Sequence, residues 1–405
     1  MRQSRLWVEP FNPRSIGANL LAGLTVAIVA LPLALGFGIA SGLGASAGII
    51  SAVIAGLIAA AFGGSRFQVS GPTGAMTAVL IPIVHQYGIE ATYAVGFIAG
   101  IFLVLAAMAR VGKYIHRLPD SLVEGLTAGI ALVIALQQVA FVFGVETISE
   151  ERIWLSAWRE LQLWLAKPTA TALVVGGSVI AVNLIGSRFF PRLPLALLSV
   201  VVATAATWAL GLKIDLIGEL PKFDLTPSLG FLASQEVLLL LAPAFSVALL
   251  AALESLLSAK IADRMRADGS SHIPSRELFG QGLANLVTPL FGGVPATAAL
   301  ARTAVNVRSG ATNPLAAIFH ALILAAFVLV LAQWVSMIPL AALGGVLVAT
   351  AWKMVHLESL KALFKKSTAD AAILTVTMLT AVLVDLIAAV IVGIVLTLVL
   401  RKRSG

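Results

Sequence analysis

Apolar runs of roughly 20 residues, each closed by a short polar or basic stretch, recur from Ile16 to Leu400. About 20 apolar residues wound as a helix span the hydrocarbon of a bilayer, so each run predicts a membrane crossing. The predicted spans lie at 16–42, 45–63, 70–85, 91–110, 120–144, 168–186, 193–212, 237–259, 276–291, 299–310, 313–336, 338–355, 369–384 and 386–400. These make about fourteen segments of an all-α polytopic membrane protein and leave no room between them for a soluble domain. Two of them are too short to cross. The third is broken by Gly63-Gly64 and Gly71-Pro72, the tenth by Gly292-Gly293 and Pro295.

The two breaks are related. Phe62-Gly-Gly recurs as Phe291-Gly-Gly, 229 positions on, and each copy leads through a β-capable stretch into a helix of small residues. The stretches are Ser65-Arg-Phe-Gln-Val-Ser and Val294-Pro-Ala-Thr-Ala, which predict short β-strands before half-helices 3 and 10. The first copy follows a span ending inside and the second a span ending outside, so the repeats are inverted. Interrupted helices at matching places in two inverted halves mark a binding site near the midplane. The start of a helix carries unpaired N–H groups and about half a positive charge, and two such starts facing each other suit an anion.

Arg302 lies just inside the second half-helix. A cation at bilayer depth costs at least about 2.5 to 3.5 kcal/mol, so its presence implies an anionic partner. Glu254, in Leu249-Leu-Ala-Ala-Leu-Glu-Ser-Leu-Leu-Ser, is the second charge in apolar surroundings. It should hold a proton or neighbour a cation, and Ser258 stands one helical turn on. A structural Arg302–Glu254 pair is the rival reading, compatible with a nearby substrate. Gln68, Thr73 and Thr297 read equally as local caps or as ligands. Asn306 reads as a helix-to-helix hydrogen bond and Asp385 as a turn residue.

Composition agrees with the pattern: of 405 residues, 59% are hydrophobic and only 11% charged. Cysteine is absent, which excludes disulfides and thiolate metal sites, and the five histidines show no metal spacing. The net charge of +8 does not indicate nucleic acid, because the basic residues fall in clusters between spans. These are Arg2, Arg5 and Arg14; Arg110, Lys113, His116 and Arg117; Arg188 and Arg192; Lys260, Arg264, Arg266 and Arg276; Lys353, Lys361, Lys365 and Lys366; and Arg401, Lys402 and Arg403. By the positive-inside rule they mark cytoplasmic loops and place both termini in the cytoplasm, as in a bacterial inner-membrane protein. No nucleophile elbow, zinc-protease helix motif or P-loop occurs, so the expectation is a non-enzyme driven by gradients and without a cofactor.

The chain resembles the SulP-type anion transporters, bacterial relatives of prestin and pendrin. The resemblance is carried by Gly23-Leu-Thr-Val-Ala-Ile-Val-Ala-Leu-Pro-Leu-Ala, by Phe62-Gly-Gly through Gly71-Pro-Thr-Gly, and by Gly280-Gln-Gly-Leu-Ala-Asn-Leu before Phe291-Gly-Gly. Ala301-Arg-Thr-Ala-Val-Asn with Ser309-Gly-Ala completes it. It implies two inverted seven-segment repeats, divided into a core domain (16–110 and 213–336) and a gate domain (111–212 and 337–400), between a lead at 1–15 and an end at 401–405. It further implies elevator-type alternating access and a homodimer, and a STAS domain after the last span is expected to be absent here. Carried over, the anion contacts are Ser70, Gly71, Pro72, Thr73, Leu300, Ala301, Arg302 and Thr303, with Gln68 beside them. Glu254 and Ser258 would hold the coupling ion, Na+ or H+. Sulfate, bicarbonate and short dicarboxylates all suit this site. An exchanger or channel-like pathway stays open, as does a uracil- or xanthine-type permease, against which Arg302 counts.

Overall fold

A computed structural model describes residues 13–115, 119–148, 150, 152–190, 193–219, 226–233, 237–266, 271–355 and 357–402. Most of the lead expected at 1–15, residues 403–405, and the topology markers Arg2, Arg5, His116, Arg117, Arg192 and Arg403 lie outside these.

In chain order the elements are α1 (Pro13–Ala40), α2 (Ala45–Phe62), β1 (Ser70–Gly71), α3 (Gly74–Met108), α4 (Gly112–Ile115), α5 (Asp120–Gln137), α6 (Val139–Phe143), α7 (Ile153–Ala166), α8 (Thr171–Ala181), α9 (Ser187–Phe189) and α10 (Leu195–Ala209). There follow α11 (Val237–Arg266), α12 (Pro274–Val287), β2 (Thr297–Ala298), α13 (Leu300–Arg308), α14 (Leu315–Ser336), α15 (Leu340–Met354), α16 (Leu357–Lys366), α17 (Thr368–Leu383) and α18 (Leu386–Lys402). Among the described residues, eight stretches are long and apolar enough to cross a membrane unaided. Gly88, at φ 84° and ψ 177°, divides α3 in two. With that division, the three shorter apolar helices among the described residues, and α12 and α13, fourteen segments stand at the expected places. Helix is the only open-chain form that satisfies its own backbone in lipid, which is why apolar sequence becomes helix here.

The chain forms two compact units, one of Met1–Ile115 with Ile217–Met337 and one of His116–Leu216 with Ile338–Gly405. In the first, α1 packs on α2 and α14, α2 on α12 and α14, and α3 on α11 and α12. Two half-crossings meet within it, since β1 and β2 pair antiparallel with Ser70 opposite Ala298 and Gly71 opposite Thr297. Each strand leads directly into a helix, α3 or α13, so the two copies of the motif run in opposite directions. In the second unit, α5 packs on α17, α15 on α8, and α18 on α17.

Packing is by small residues, as expected where lipid gives helices no hydrophobic reason to associate. Helix α2 buries Ala45, Gly48, Ala52, Ala55, Gly56 and Ala59. A Cβ on Gly280 of α12 would lie 2.5 Å from the Gly63 Cα, so the first Phe-Gly-Gly turn and α12 touch backbone to backbone.

Two elements depart from the sequence reading. Helices α7 and α16 fall where polar loops were expected. Both are amphipathic and too short for a hydropathy window. Helix α7 buries Ser156, Ala157 and Glu160 and leaves Trp154 and Trp158 exposed. Helix α16 buries Leu363 and exposes Lys361, Lys365 and Lys366. Aromatic or basic exposed faces of this kind suit a helix lying at a membrane interface.

Candidate functional site: a buried arginine between two helix starts

The extended segments around β1 and β2 cross the interior of the first unit, where every backbone group needs a partner. Much of that demand is met by side chains of α11 and α12. On α12, Glu277, Gln281 and Asn285 follow one another at intervals of four and so share one face. The Glu277 carboxylate accepts from Gly64 N (2.9 Å) and Ser65 N (3.0 Å). Gln281 Nε2 donates to Glu277 Oε1 (2.9 Å) and to Ser70 Oγ (2.7 Å). Asn285 closes a two-way amide pair with Ala296, at 2.8 Å in each direction. On α11, the Ser255 carbonyl accepts from Gln68 Nε2, while the Ser255 and Thr297 hydroxyls lie 3.0 Å apart. Asn306 Nδ2 donates to Phe67 O (2.8 Å), so its partner is the approach to β1 and not another helix.

Removing one tether should be costly. Gln281→Leu strands the Ser70 hydroxyl and one Glu277 oxygen, each unpaired buried group costing about 1–3 kcal/mol. The expected result is a lower unfolding temperature in detergent than the wild type. An unchanged Tm would mean that β1 is held without this bridge.

Arg302 sits in the first turn of α13 with only 1% of its surface exposed. Its Nη2 donates to Pro72 O (2.6 Å), which ties the start of α13 to the start of α3. Its Nη1 has no protein partner. Among the described residues no ion pair joins Arg302 to Glu254. Gly71 makes room for the guanidinium: at φ 149°, a Cβ there would fall 2.7 Å from Nη1. The α13 start has no side-chain cap at Ala299, and Ala301 is exposed. The first N–H groups of α13 therefore remain available beside the cation.

The sequence-derived residues divide into two groups. Arg302, Gly71 and Pro72 come together around the guanidinium, with Leu300 and Ala301 at the adjoining helix start. The others are engaged by protein groups. Thr73 caps α3 by accepting from Met76 N (3.2 Å) and donates to Glu254 Oε2 (2.9 Å). Thr303 Oγ1 accepts from Val69 N (3.1 Å) and from Ser258 Oγ (3.3 Å). Ser70 is held by Gln281 and Gln68 by Ser255. Ser258 and Glu254 share a face of α11, but their hydrogen bonds go to different partners.

Sequence reasoning passed over the Glu277, Gln281, Asn285 stripe, although its four-residue spacing in an apolar segment was legible. It also passed over His320 of α14, which is fully buried with neither ring nitrogen bonded. A lone histidine carries no spacing signal. A cavity of about 420 Å³ in the second unit, lined by Phe141, Glu146, Thr147, Asp215 and neighbours, holds two carboxylates and no basic side chain, so its chemistry does not suit an anion.

A buried, half-satisfied guanidinium between antiparallel half-helices is distinctive enough to compare with known proteins. The family model of the sulfate permease family matches residues 16–377. YvdB of Bacillus subtilis (strain 168), provisionally named a sulfate transporter, is 35% identical over 97% of this chain and 75% of its own length. The bicarbonate transporter BicA of Picosynechococcus sp. (strain PCC 7002) is 31% identical over 94% of this chain and 69% of its own. The solved transmembrane domain of a cyanobacterial BicA superposes with a TM-score of 0.85 at 29% identity, covering 93% of this chain and 98% of that domain. Murine Slc26a9, an anion transporter solved in an inward-facing state, shares the fold, with a TM-score of 0.87 at 17% identity over 97% of this chain and 69% of its own. The fold, its broken helices and a match over most of the length agree, and the chain belongs to the sulfate permease family.

Proposed function

We propose that this protein is a secondary active carrier of a small oxyanion or carboxylate, of the sulfate, bicarbonate or dicarboxylate class. The observation that supports this reading best is Arg302 Nη1, a buried donor with no hydrogen-bond partner and, among the described residues, no carboxylate at ion-pair distance. A charged group left so in the interior is costly unless a ligand completes it. Guanidinium geometry suits two oxygens of one planar or tetrahedral oxyanion, and the free N–H groups at the α13 start add donors of the same sign. The names of the relatives point to the same chemistry.

Glu254 is the coupling group in this reading. Its carboxylate is held by Thr73, the cap of α3, so a proton or Na+ bound there alters the half-helix that meets Arg302. Anion and cation travel together with the first unit in an elevator-type cycle, in a cell membrane with both termini in the cytoplasm and as a homodimer. The test is uptake of labelled sulfate, bicarbonate and fumarate into proteoliposomes, under a Na+ gradient, a H+ gradient or neither. Accumulation of one anion under one gradient identifies both partners. Gradient-independent flux of all three would instead establish an exchanger or channel and overturn the coupled reading.

Glu254→Gln mimics the protonated carboxylate and keeps an acceptor for Thr73. We expect gradient-driven accumulation to fall to the level of an ungradiented control while anion exchange persists. Normal accumulation by this variant would take Glu254 out of the coupling step.

A further inference from the structure

We propose that His320 is a second anion-contacting residue, a neutral hydrogen-bond donor working beside Arg302; this deepens the carrier reading above and rests on it. Helix α14 is otherwise apolar through its buried face, where Ala316, Ala317, Ala321 and Leu324 surround the histidine in sequence. His320 is 0% exposed, and both Nδ1 and Nε2 lack a hydrogen-bond partner. A neutral imidazole has one donor and one acceptor, and leaving both unmade in a packed interior is a penalty that a merely structural side chain has no reason to carry.

The packing brings this part of α14 beside the site. A Cβ on Gly23 of α1 would lie 2.8 Å from His320 N, so α1 and α14 are in backbone contact at this level. On α2, Gly56 faces Ala321 and the Ser70 carbonyl: a Cβ there would lie 3.4 Å from Ala321 Cβ and 3.5 Å from Ser70 O. One turn earlier, Ala52 Cα and Arg302 Nη1 both crowd the place of a Gly71 Cβ, at 3.1 and 2.7 Å. At Gly56 the same side of α2 thus meets both α14, at Ala321, and β1, at Ser70, next to the Gly71 that seats the guanidinium.

Arg302 offers only donors, so it could serve at most the acceptor nitrogen of the imidazole and leaves the imidazole N–H without an acceptor. Helices α1, α2 and α14 contain no Asp or Glu that could serve as the missing acceptor. One oxyanion answers the need of both, with one oxygen on Nη1 and another on the imidazole N–H. His320 would then contribute to affinity through a directed, uncharged donor, where Arg302 supplies the charge.

The experiment compares the wild type, His320→Leu, His320→Gln and Arg302→Ala in lipid nanodiscs, measuring equilibrium binding of labelled sulfate and bicarbonate together with Tm. Losing one hydrogen bond to a charged ligand should weaken binding about tenfold or more in His320→Leu. His320→Gln, which restores a donor, should recover most of the affinity. Wild-type affinity in His320→Leu, accompanied by a raised Tm, would overturn the proposal and leave His320 an unpaired core residue. Should His320→Leu fail to fold, ring 15N resonances of the wild type, assigned with His320→Gln, decide the matter. Movement of the His320 signals on adding sulfate or bicarbonate supports contact, and no movement with either refutes it. A wild type that binds neither anion overturns the carrier reading itself. Binding that depends on Arg302 but not on His320 removes this inference alone.

Discussion

Arg302→Ala will lose anion binding and transport while remaining folded. Hydrogen bonds to a charged group are worth about 1.5–3 kcal/mol, so losing the guanidinium should raise the anion Kd by about 10- to 150-fold. Stability should move differently. The wild-type side chain is 1% exposed, with one nitrogen on Pro72 O and another unpaired, so the empty fold already bears much of the cost of burying a cation. Replacing buried ionic groups by apolar ones is often neutral or stabilising, and the variant is expected to keep or gain thermal stability in the absence of anion. Opposite movement of affinity and Tm is the signature of a group retained for ligand binding. A variant that loses stability and affinity together would recast Arg302 as a structural tether of α13 to α3. Equilibrium binding and thermal unfolding on the same preparation separate these outcomes.

Gly71→Ala should damage the arginine site directly. The backbone φ of 149° is one that side chains with a Cβ rarely adopt, and forcing it costs about 1–3 kcal/mol. The added methyl would also fall 2.7 Å from Arg302 Nη1 and 3.1 Å from the Ala52 Cα. The guanidinium is the end of a flexible side chain and can yield, whereas the α2 backbone cannot. The expected result is a lower Tm and anion affinity reduced to the level of Arg302→Ala, because the arginine is displaced from Pro72 O. In the double variant Gly71→Ala with Arg302→Ala, the affinity loss should be no greater than in either single change, since both act through one group. Additive losses in that cycle would mean that β1 contacts the anion independently of Arg302.

These two residues show how unevenly the site can be read from sequence. Arg302 declared itself, because a permanent charge in an apolar run is an anomaly visible without any contact. Gly71 stood in a break that any glycine-proline pair would mark, and its role in seating a guanidinium 231 positions away was not legible. Thr73 and Ser258 illustrate the converse. Their residue types fit a ligand shell, but Thr73 caps α3 and holds Glu254, while Ser258 turns to Thr303. Hydroxyls bind whatever the fold brings within about 3 Å, and spacing along a helix says only which side chains share a face.

The sequence by itself determined the membrane class, the number and places of the crossings, and the two broken helices. These depend on local properties: run length, apolar content and glycine-proline punctuation act on neighbouring residues, and lipid allows apolar backbone almost no form but helix. It was blind to α7 and α16, whose amphipathic patterns are shorter than a membrane span. Only the tertiary structure decided that β1 pairs with β2, that the Glu277, Gln281, Asn285 stripe holds the two extended crossings, and that His320 is buried with both ring nitrogens unpaired. Each of those facts is a choice of partner among groups distant in the chain, and the choice is made by small-residue packing that sets how closely α1, α2, α12 and α14 approach.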